Sequence, residues 1–267
     1  MIKPREIQNK ARESGVRDQQ IEKDYILSWI LQGVSQHEKL SKVLAFKGGT
    51  VLKKVYFKDY RFSEDLDYTL LDNDITNEQI FEWFAEVFEY ISEEANIPLE
   101  IIDNNEHEDE GINFYISYVG PLGGIGANKK VKVDISRSEN LVFEPIMNNV
   151  FLGYTDQEEH QLLCYSLEEV LVEKLRSVMQ RMQARDFYDI WYLLEVQDMD
   201  VDFHINEFKI KCENKDVNPA DFHKKSEQRL PQYKGRWQKS MADQIQDLPD
   251  FETILRIVMR HLKKLEL

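Results

Sequence analysis

One stretch, Phe46 to Leu70, constrains the possible folds of this chain more than any other. A short apolar run leads to two glycines, Gly48 and Gly49, and then to a segment of helical composition from Val51 to Phe57. Glycines let backbone N–H groups approach a ligand closely, and a helix N-terminus favours an anion. The order predicts a strand, a glycine turn and a short helix that Thr50 caps. Taken alone, such a turn is also an ordinary connector.

Acidic residues follow on a second predicted strand. Asp65 and Asp67 alternate with Leu66 and Tyr68, so the two carboxylates project from one face of the strand. Two carboxylates so close together repel unless a cation lies between them. Mg²⁺ or Mn²⁺ prefers such oxygen ligands and also binds substrate phosphates. Alone, the pair is typical of a solvated strand end, but behind the glycine turn it predicts a metal-dependent site that handles phosphates.

A third acidic residue, Asp134, lies on a later predicted strand from Lys130 to Ile135. Its neighbours on the chain are apolar, and a carboxylate buried among them without a partner is costly. Two interpretations stay open. Asp134 is either a third metal ligand or base beside the first two carboxylates, or an edge-strand acid that faces water or pairs with Lys132 or Arg137.

A capping box at Ser166 to Glu169 opens a long predicted helix that continues to about Ala184. Lys174 lies at the border of its apolar stripe, and Arg181 and Arg185 follow along the same line. The stripe comprises Leu171, Leu175, Val178 and Met182. Three cations in a row suit a polyphosphate or an RNA backbone, although a lysine that extends its charged end from a helix border gives the same pattern.

Composition and charge limit the classes of function. The chain has 267 residues, of which 42% are hydrophobic, enough for a sizeable core. Its net charge of -15 argues against a protein that coats nucleic acid non-specifically, because phosphate contacts need clustered cations. Local basic segments at Lys53 to Lys54, Lys129 to Lys132 and residues 176–185 are either RNA contacts or solvated faces.

Membrane and disulfide-based classes are not indicated. Cys164 and Cys212 are the two cysteines, and neither lies in a zinc or disulfide motif. No apolar run reaches the roughly 18 to 20 residues that span a bilayer, and residues 1–15 lack the apolar region of a signal peptide. We therefore expect a cytoplasmic protein without a membrane partner.

The order of elements predicts an α/β (α+β) fold whose mixed sheet is flanked by helices. Residues 1–40 are predicted helical, with Glu22 to Asp24 on a solvated or salt-bridged face, and a capped helix begins at Thr76. The acidic run from Asn104 to Glu110 is predicted as a loop. These elements are assigned to a catalytic domain of residues 1–165.

Residues 166–267 are predicted to form a helical C-terminal domain, with breaks at Pro219 and Pro231 and an amphipathic last helix. Three side chains of this domain are able to stack on RNA bases or to pack in the core, and packing is the expected use. They are Tyr233, Arg236 and Trp237.

Several motifs together resemble those of the nucleotidyltransferase superfamily, and more narrowly the AbiEii/AbiGii toxin family of type IV toxin-antitoxin and abortive-infection systems. They are GGT-x-L from Gly48 to Leu52, RFSEDLD from Arg61 to Asp67, EKDYIL from Glu22 to Leu27, and the block from Glu173 to Leu194. The resemblance covers most of the chain. It implies a nucleotidyltransferase-like sheet as the core.

The resemblance also implies roles for individual residues. Matched positions make Lys174 a triphosphate contact and Asp186, or alternatively Asp189, a supporting acid; Ser177 stands where the family has a different small residue. The implied catalytic residues are Asp65, Asp67, Asp134, Lys174 and Asp186, with the first three as metal ligands. The implied nucleotide-binding residues are Gly48, Gly49, Thr50, Ser63, Lys174, Arg181 and Asp189.

From the resemblance we expect a toxin that uses Mg²⁺ or Mn²⁺ to transfer a nucleoside monophosphate from an NTP to an RNA. The expected acceptor is a tRNA 3′ end, so that modification blocks translation as part of phage defence, and a cognate antitoxin restrains the enzyme. Two alternatives stay open. The acceptor is a protein or a small molecule, or the chain is a catalytically silent nucleotide-binding module.

Overall fold

The computed structural model describes residues 1–107, 111–126, 128–181 and 183–263. The chain forms two compact units. The first comprises Met1–Glu139, Pro145–Cys164 and Asp243–Ile245. The second comprises Asn140–Glu144, Tyr165–Ala242 and the described residues from Gln246 onward. Each unit therefore includes a short segment that is remote in sequence from the rest of it.

Seven strands in the described part of the first unit form one mixed sheet. They are β1 (Leu44–Lys47), β2 (Asp65–Leu70), β3 (Leu99–His107), β4 (Gly111–Tyr118), β5 (Lys130–Ser136), β6 (Ile146–Asn149) and β7 (Gln161–Cys164). Their order across the sheet is β3-β4-β5-β2-β1-β7-β6. β2 runs parallel to β5 and β1 parallel to β7, whereas the other neighbours are antiparallel. The prediction of a mixed sheet with flanking helices is confirmed.

Helices of the first unit are α1 (Pro4–Ser14), α2 (Asp18–Gln36), α3 (Leu40–Val43), α4 (Gly48–Val51) and α5 (Asn77–Ala95). The apolar α2 packs against α1 and α5. At Gly33 the two helices α2 and α5 are so close that a Cβ would lie 2.7 Å from Val87. The predicted capping box is present, because Thr76 and Gln79 bond to each other's backbone. This box fixes the start of α5.

Two predictions for the first unit are wrong. The segment predicted as a loop from Asn104 is strand as far as His107, and residues 108–110 lie outside the described part of the chain. Polar side chains suit this strand because β3 is an edge strand whose backbone pairs with β4 while the side chains of residues 102–105 face water.

The helix after the glycine pair also begins earlier than predicted. It starts at Gly48 and continues as a π-helical turn from Leu52 to Tyr56. Thr50 does not cap it; its hydroxyl donates instead to the carbonyl oxygen of Asp65. That bond ties the glycine element to the first residue of β2.

Acidic residues of α2 lie in the interior rather than on a solvated face. Glu22 is fully buried, pairs with Lys129 and accepts a hydrogen bond from the backbone of Leu122. Asp24 pairs with the buried Lys54 at 2.7 Å. Of the two alternatives for this face, the salt-bridged one holds for these two residues, and the pairs remove the cost of burying them alone.

The second unit is helical in its described residues. Its helices are α6 (Leu167–Gln180), α7 (Ala184–Trp191), α8 (Ile205–Glu213), α9 (Phe222–Met241) and α10 (Phe251–Leu262). The capping serine of α6 is confirmed, since Ser166 accepts from the N–H of Glu169. The predicted extension to Ala184 is wrong, because α6 ends at Gln180 and Ala184 begins α7. Met182, assigned to the apolar stripe, lies outside the described residues.

The predicted break at Pro231 is also wrong. α9 runs through this proline, although a proline inside a helix costs about 3 kcal/mol. Buried side chains on both sides of it lie on one helix face: Phe222 and Ser226 precede it, and Tyr233, Trp237 and Met241 follow it. Packing of that face therefore outweighs the local cost, while Pro231 itself is exposed. Tyr233 and Trp237 pack in the core, as expected.

Candidate active site

Three neighbouring strands bring charged side chains to one face of the sheet. Asp67 of β2 is paired with Lys47 of β1 on one side and with Asp134 of β5 on the other. Asp65 is paired with Lys132 of β5. Residues at paired positions project from the same face with Cβ atoms about 5 Å apart. The alternating residues of β2 and β5 are buried on the opposite face, whereas the charged side chains of these two strands remain half-buried at the surface of the sheet.

The side chain of Lys132 lies among these carboxylates. Its ammonium forms an ion pair with Asp134. Burial favours the neutral amine, but the hydrogen bond and charge of Asp134, with the charges of Asp65 and Asp67, outweigh burial and raise the pKa of Lys132. The contact to Lys132 is the one that the second interpretation of Asp134 predicted. The edge-strand part of that interpretation is wrong, because β5 lies between β4 and β2. The register of β2 with β5 places Asp134 on the same face as Asp65 and Asp67, as the first interpretation requires.

Lys47 is a residue of this face that the sequence reasoning missed. It is buried, and its ammonium donates to the hydroxyl of Ser136 at 2.7 Å. That hydroxyl in turn donates to the carbonyl oxygen of Tyr68 at 3.2 Å. The lysine thus connects β1 to β5 across the strand that carries Asp67. Its position directly before the glycine pair was the available signal, but only the register of β1 and β2 places it opposite Asp67.

The glycine pair lies directly against these groups. Gly48 has φ +80°, and a Cβ at this position would overlap Oδ2 of Asp67. At Gly49 a Cβ would lie 2.6 Å from the guanidinium of Arg61 and 3.4 Å from the hydroxyl of Ser63. The structure therefore brings together the predicted residues Gly48, Gly49, Thr50, Ser63, Asp65, Asp67 and Asp134. Both glycines are required there because of close approach, and Gly48 also because of its positive φ.

Gly48→Ala should therefore displace the Asp67 carboxylate and lower the rate of the nucleotidyl transfer that the resemblance implies roughly 10- to 100-fold. Gly124→Ala is the matched control, because Gly124 has φ +79° with no atom within 4 Å of an added Cβ. Both variants carry the strain of a left-handed alanine, about 1 to 2 kcal/mol. Steady-state rates and urea unfolding of the two variants separate strain from displacement. Equal rates would show that the contact with Asp67 is unimportant.

Arg61 packs against the glycine pair at Gly49, and the sequence reasoning missed this residue too. Its side chain is fully buried and donates to the side-chain oxygen of Gln244 at 2.9 Å and to the carbonyl oxygen of Phe62. The N–H of Phe62 donates to the carbonyl oxygen of Gln244. Sequence offered no signal for this contact, because Gln244 lies 183 residues away.

The carboxylates on the sheet face fit a divalent cation that is shared with substrate phosphates. Among the described residues, no group of three or more His, Cys, Asp or Glu side chains is arranged as a metal site. Asp67 and Asp134 nevertheless offer oxygen ligands at paired positions of adjacent strands, and Asp65 projects from the same face. Mg²⁺ is commonly held by one or two carboxylates together with substrate phosphates. The residues fit that mode rather than a cage made of protein ligands alone.

A second cluster of predicted site residues lies within the second unit. The ammonium of Lys174 contacts Asp186 at 2.7 Å and Asp189 at 2.8 Å, and all three side chains are buried. Both carboxylates belong to α7, at an i, i+3 spacing that places them on one face. The structure thus brings together the lysine and both alternatives for the supporting acid.

Arg181 completes this cluster. Its Nε and one terminal nitrogen donate to the two oxygens of Asp186 at 2.7 and 3.0 Å, a bidentate pair. Burial alone would raise the pKa of Asp186, but the charges and hydrogen bonds of Lys174 and Arg181 outweigh it and hold the pKa below its ordinary value. Arg185 does not continue a row of cations on α6, because it lies on α7 beyond the end of that helix.

Comparison with known protein families shows the family to which the chain belongs. Residues 29–257 match the family described as "Nucleotidyl transferase AbiEii toxin, Type IV TA system". The chain belongs to this family. It is therefore a nucleotidyltransferase, and the AbiEii resemblance is confirmed. Membership implies an NTP as substrate and an antitoxin as partner of this toxin.

Solved structures support the fold of the toxin. MenT4, a nucleotidyltransferase toxin from Mycobacterium tuberculosis H37Rv, is 16% identical with a TM-score of 0.63, over 100% of this chain and 91% of that one. JHP933 from Helicobacter pylori is 18% identical with a TM-score of 0.59, over 94% and 95% of the two chains. Identities this low show the fold alone. A search of curated proteins finds no significant match. In the described residues, no helix is long and apolar enough to cross a membrane.

Proposed function

We propose that the toxin transfers a nucleoside monophosphate from an NTP to the 3′ hydroxyl of an RNA, with a tRNA as the acceptor, and so blocks translation. The observation that carries the proposal is the face on which Asp65, Asp67 and Asp134 project beside the glycine pair. An NTP is a phosphate-rich substrate, and this face combines closely approachable backbone with carboxylates that suit a divalent cation.

Each residue of the face has a distinct task in this proposal. Asp67 and Asp134, with Asp65 beside them, hold Mg²⁺ or Mn²⁺. When bound, the cation neutralises phosphate charge and stabilises an in-line displacement. The backbone of Gly48 and Gly49 approaches the triphosphate, and Thr50 holds that backbone against β2.

In the proposed transfer step, one bond to phosphorus forms, another breaks, and a residue of the chain accepts the proton. The acceptor hydroxyl oxygen forms a bond to the α-phosphorus, the bond from that phosphorus to the leaving oxygen breaks, and pyrophosphate departs. The proton of the hydroxyl passes to a carboxylate oxygen of Asp134. Ser63, whose hydroxyl lies beside Gly49, donates to a phosphate oxygen.

The family resemblance assigns a phosphate contact to the buried cluster of the second unit. Lys174 and Arg181 supply positive charge, and Asp186 and Asp189 fix their positions through the ion pairs described above. Arg181 is the more accessible of the two cations, because 55% of its side chain is exposed, compared with 7% for Lys174. We assign direct phosphate contact to both cations and a positioning role to both aspartates.

Incubation of the purified toxin with Mg²⁺, each α-labelled NTP in turn and total tRNA tests the proposal. A denaturing gel should show label on tRNA with one preferred nucleotide. Label on protein or on a small molecule instead would contradict the RNA acceptor. Absence of any labelled product, with NTP binding intact, would contradict transfer to these acceptors.

A further inference from the structure

The helix α9 differs in charge from the chain to which it belongs. Its 20 residues carry six lysines and arginines against a single glutamate, in a chain of net charge -15. The cations are Lys224, Lys225, Arg229, Lys234, Arg236 and Lys239. A helix with this excess of positive charge attracts a polyanion even when the whole protein is acidic.

The two faces of α9 have separate uses. Tyr233 and Trp237 are buried, and their polar atoms donate to backbone carbonyls within the second unit. The cations lie off this buried face, and Lys224, Arg236 and Lys239 are exposed. The aromatic rings are therefore engaged in the core, and what α9 presents to solvent is charge rather than a stacking surface.

Two of these cations form ion pairs with neighbouring acids. Lys234 pairs with Glu252 at 2.5 Å, and Lys225 pairs with Asp221 at 3.6 Å. Both pairs are exposed, where an ion pair contributes little and is readily exchanged for another partner. These two ion pairs therefore do not prevent α9 from binding an external anion.

We propose that the exposed face of α9 binds the phosphate backbone of the acceptor RNA. The inference rests on the function proposed above and adds the surface on which the acceptor docks. A nucleic-acid backbone is the polyanion whose regular charge spacing matches cations distributed along a helix. Contacts to phosphates carry no base information, so this binding is independent of base sequence. No aromatic side chain of α9 faces solvent among the described residues to stack on a base.

The test uses the full-length toxin with Lys224→Gln, Arg236→Gln and Lys239→Gln combined. The control combines Lys3→Gln, Arg5→Gln and Arg12→Gln, which removes the same charge from exposed residues of the first unit at and beside α1. Fluorescence anisotropy of a labelled tRNA is recorded over a range of salt concentrations. We expect the α9 variant to bind roughly 10- to 100-fold more weakly and the slope of log K against log salt to fall by about two to three. The control should behave like the wild type.

Transfer kinetics distinguish failure of this surface from failure of the proposed function. The α9 variant should need more RNA for half-maximal labelling and keep its rate at saturating RNA. If the wild type labels tRNA while the α9 variant binds tRNA as tightly as the control, the surface is wrong and the function stands. If the wild type binds no tRNA and labels another acceptor, both are wrong. Binding of α9 to an acidic protein instead of tRNA would also overturn the inference.

Discussion

Asp67→Asn should reduce nucleotidyl transfer by about three orders of magnitude and leave the toxin folded. Asp67 lies at the centre of the charged face, opposite both Lys47 and Asp134, and its carboxylate contacts the backbone at Gly48. Asparagine keeps the volume of the side chain but removes the charge that we propose binds a divalent cation. Transfer rates at saturating NTP and Mg²⁺ measure the effect.

Asp103→Asn is the matched control for this prediction. Asp103 is exposed on the edge strand β3, away from the paired positions of β2 and β5. It should transfer at the wild-type rate. A loss of less than about tenfold in Asp67→Asn, with the variant folded, would remove Asp67 from the catalytic residues.

Lys174→Met should destabilise the toxin by about 3 to 5 kcal/mol. Without the ammonium, Asp186 keeps its ion pair with Arg181, and the fully buried Asp189 loses its contact with a cation at 2.8 Å. Removing one partner of a buried ion pair is costly, and methionine keeps the volume of the lysine without its charge. Urea unfolding of the wild type and the variant measures the difference in free energy.

Lys263→Met, at an exposed lysine, should leave the stability unchanged. The double variant Lys174→Met with Asp189→Asn should recover part of the lost stability, because the buried negative charge beside the methionine is removed as well. If Lys174 also contacts the triphosphate, the double variant should still show a raised KM for NTP. A Lys174→Met variant as stable as the wild type, with an unchanged KM for NTP, would contradict both the stabilising role and the phosphate contact of Lys174.

Local rules predicted those parts of the structure that depend on neighbouring residues in sequence. The alternation of Asp65 and Asp67 with Leu66 placed two carboxylates on one face, and the capping residues Thr76 and Ser166 fixed the starts of α5 and α6. These features need only the geometry of a strand or the first turn of a helix. They were sufficient for the fold class.

Features that depend on tertiary contacts were missed or mistaken. Lys47 joins the site through the register of β1 with β2, and Arg61 is fixed by Gln244, far away in sequence. Pro231 is tolerated because residues on both sides of it pack on one face. In each case the deciding contact is with a residue that no local pattern identifies.

Parallel reactions with α-labelled and γ-labelled NTP test the central claim most directly. Wild-type toxin and Asp67→Asn are each incubated with Mg²⁺ and tRNA, and label on tRNA is measured. A nucleotidyltransferase that works through the charged face should transfer the α-label and not the γ-label, and Asp67→Asn should transfer neither. Transfer of the γ-label, or transfer of the α-label at the wild-type rate by Asp67→Asn, would contradict the account.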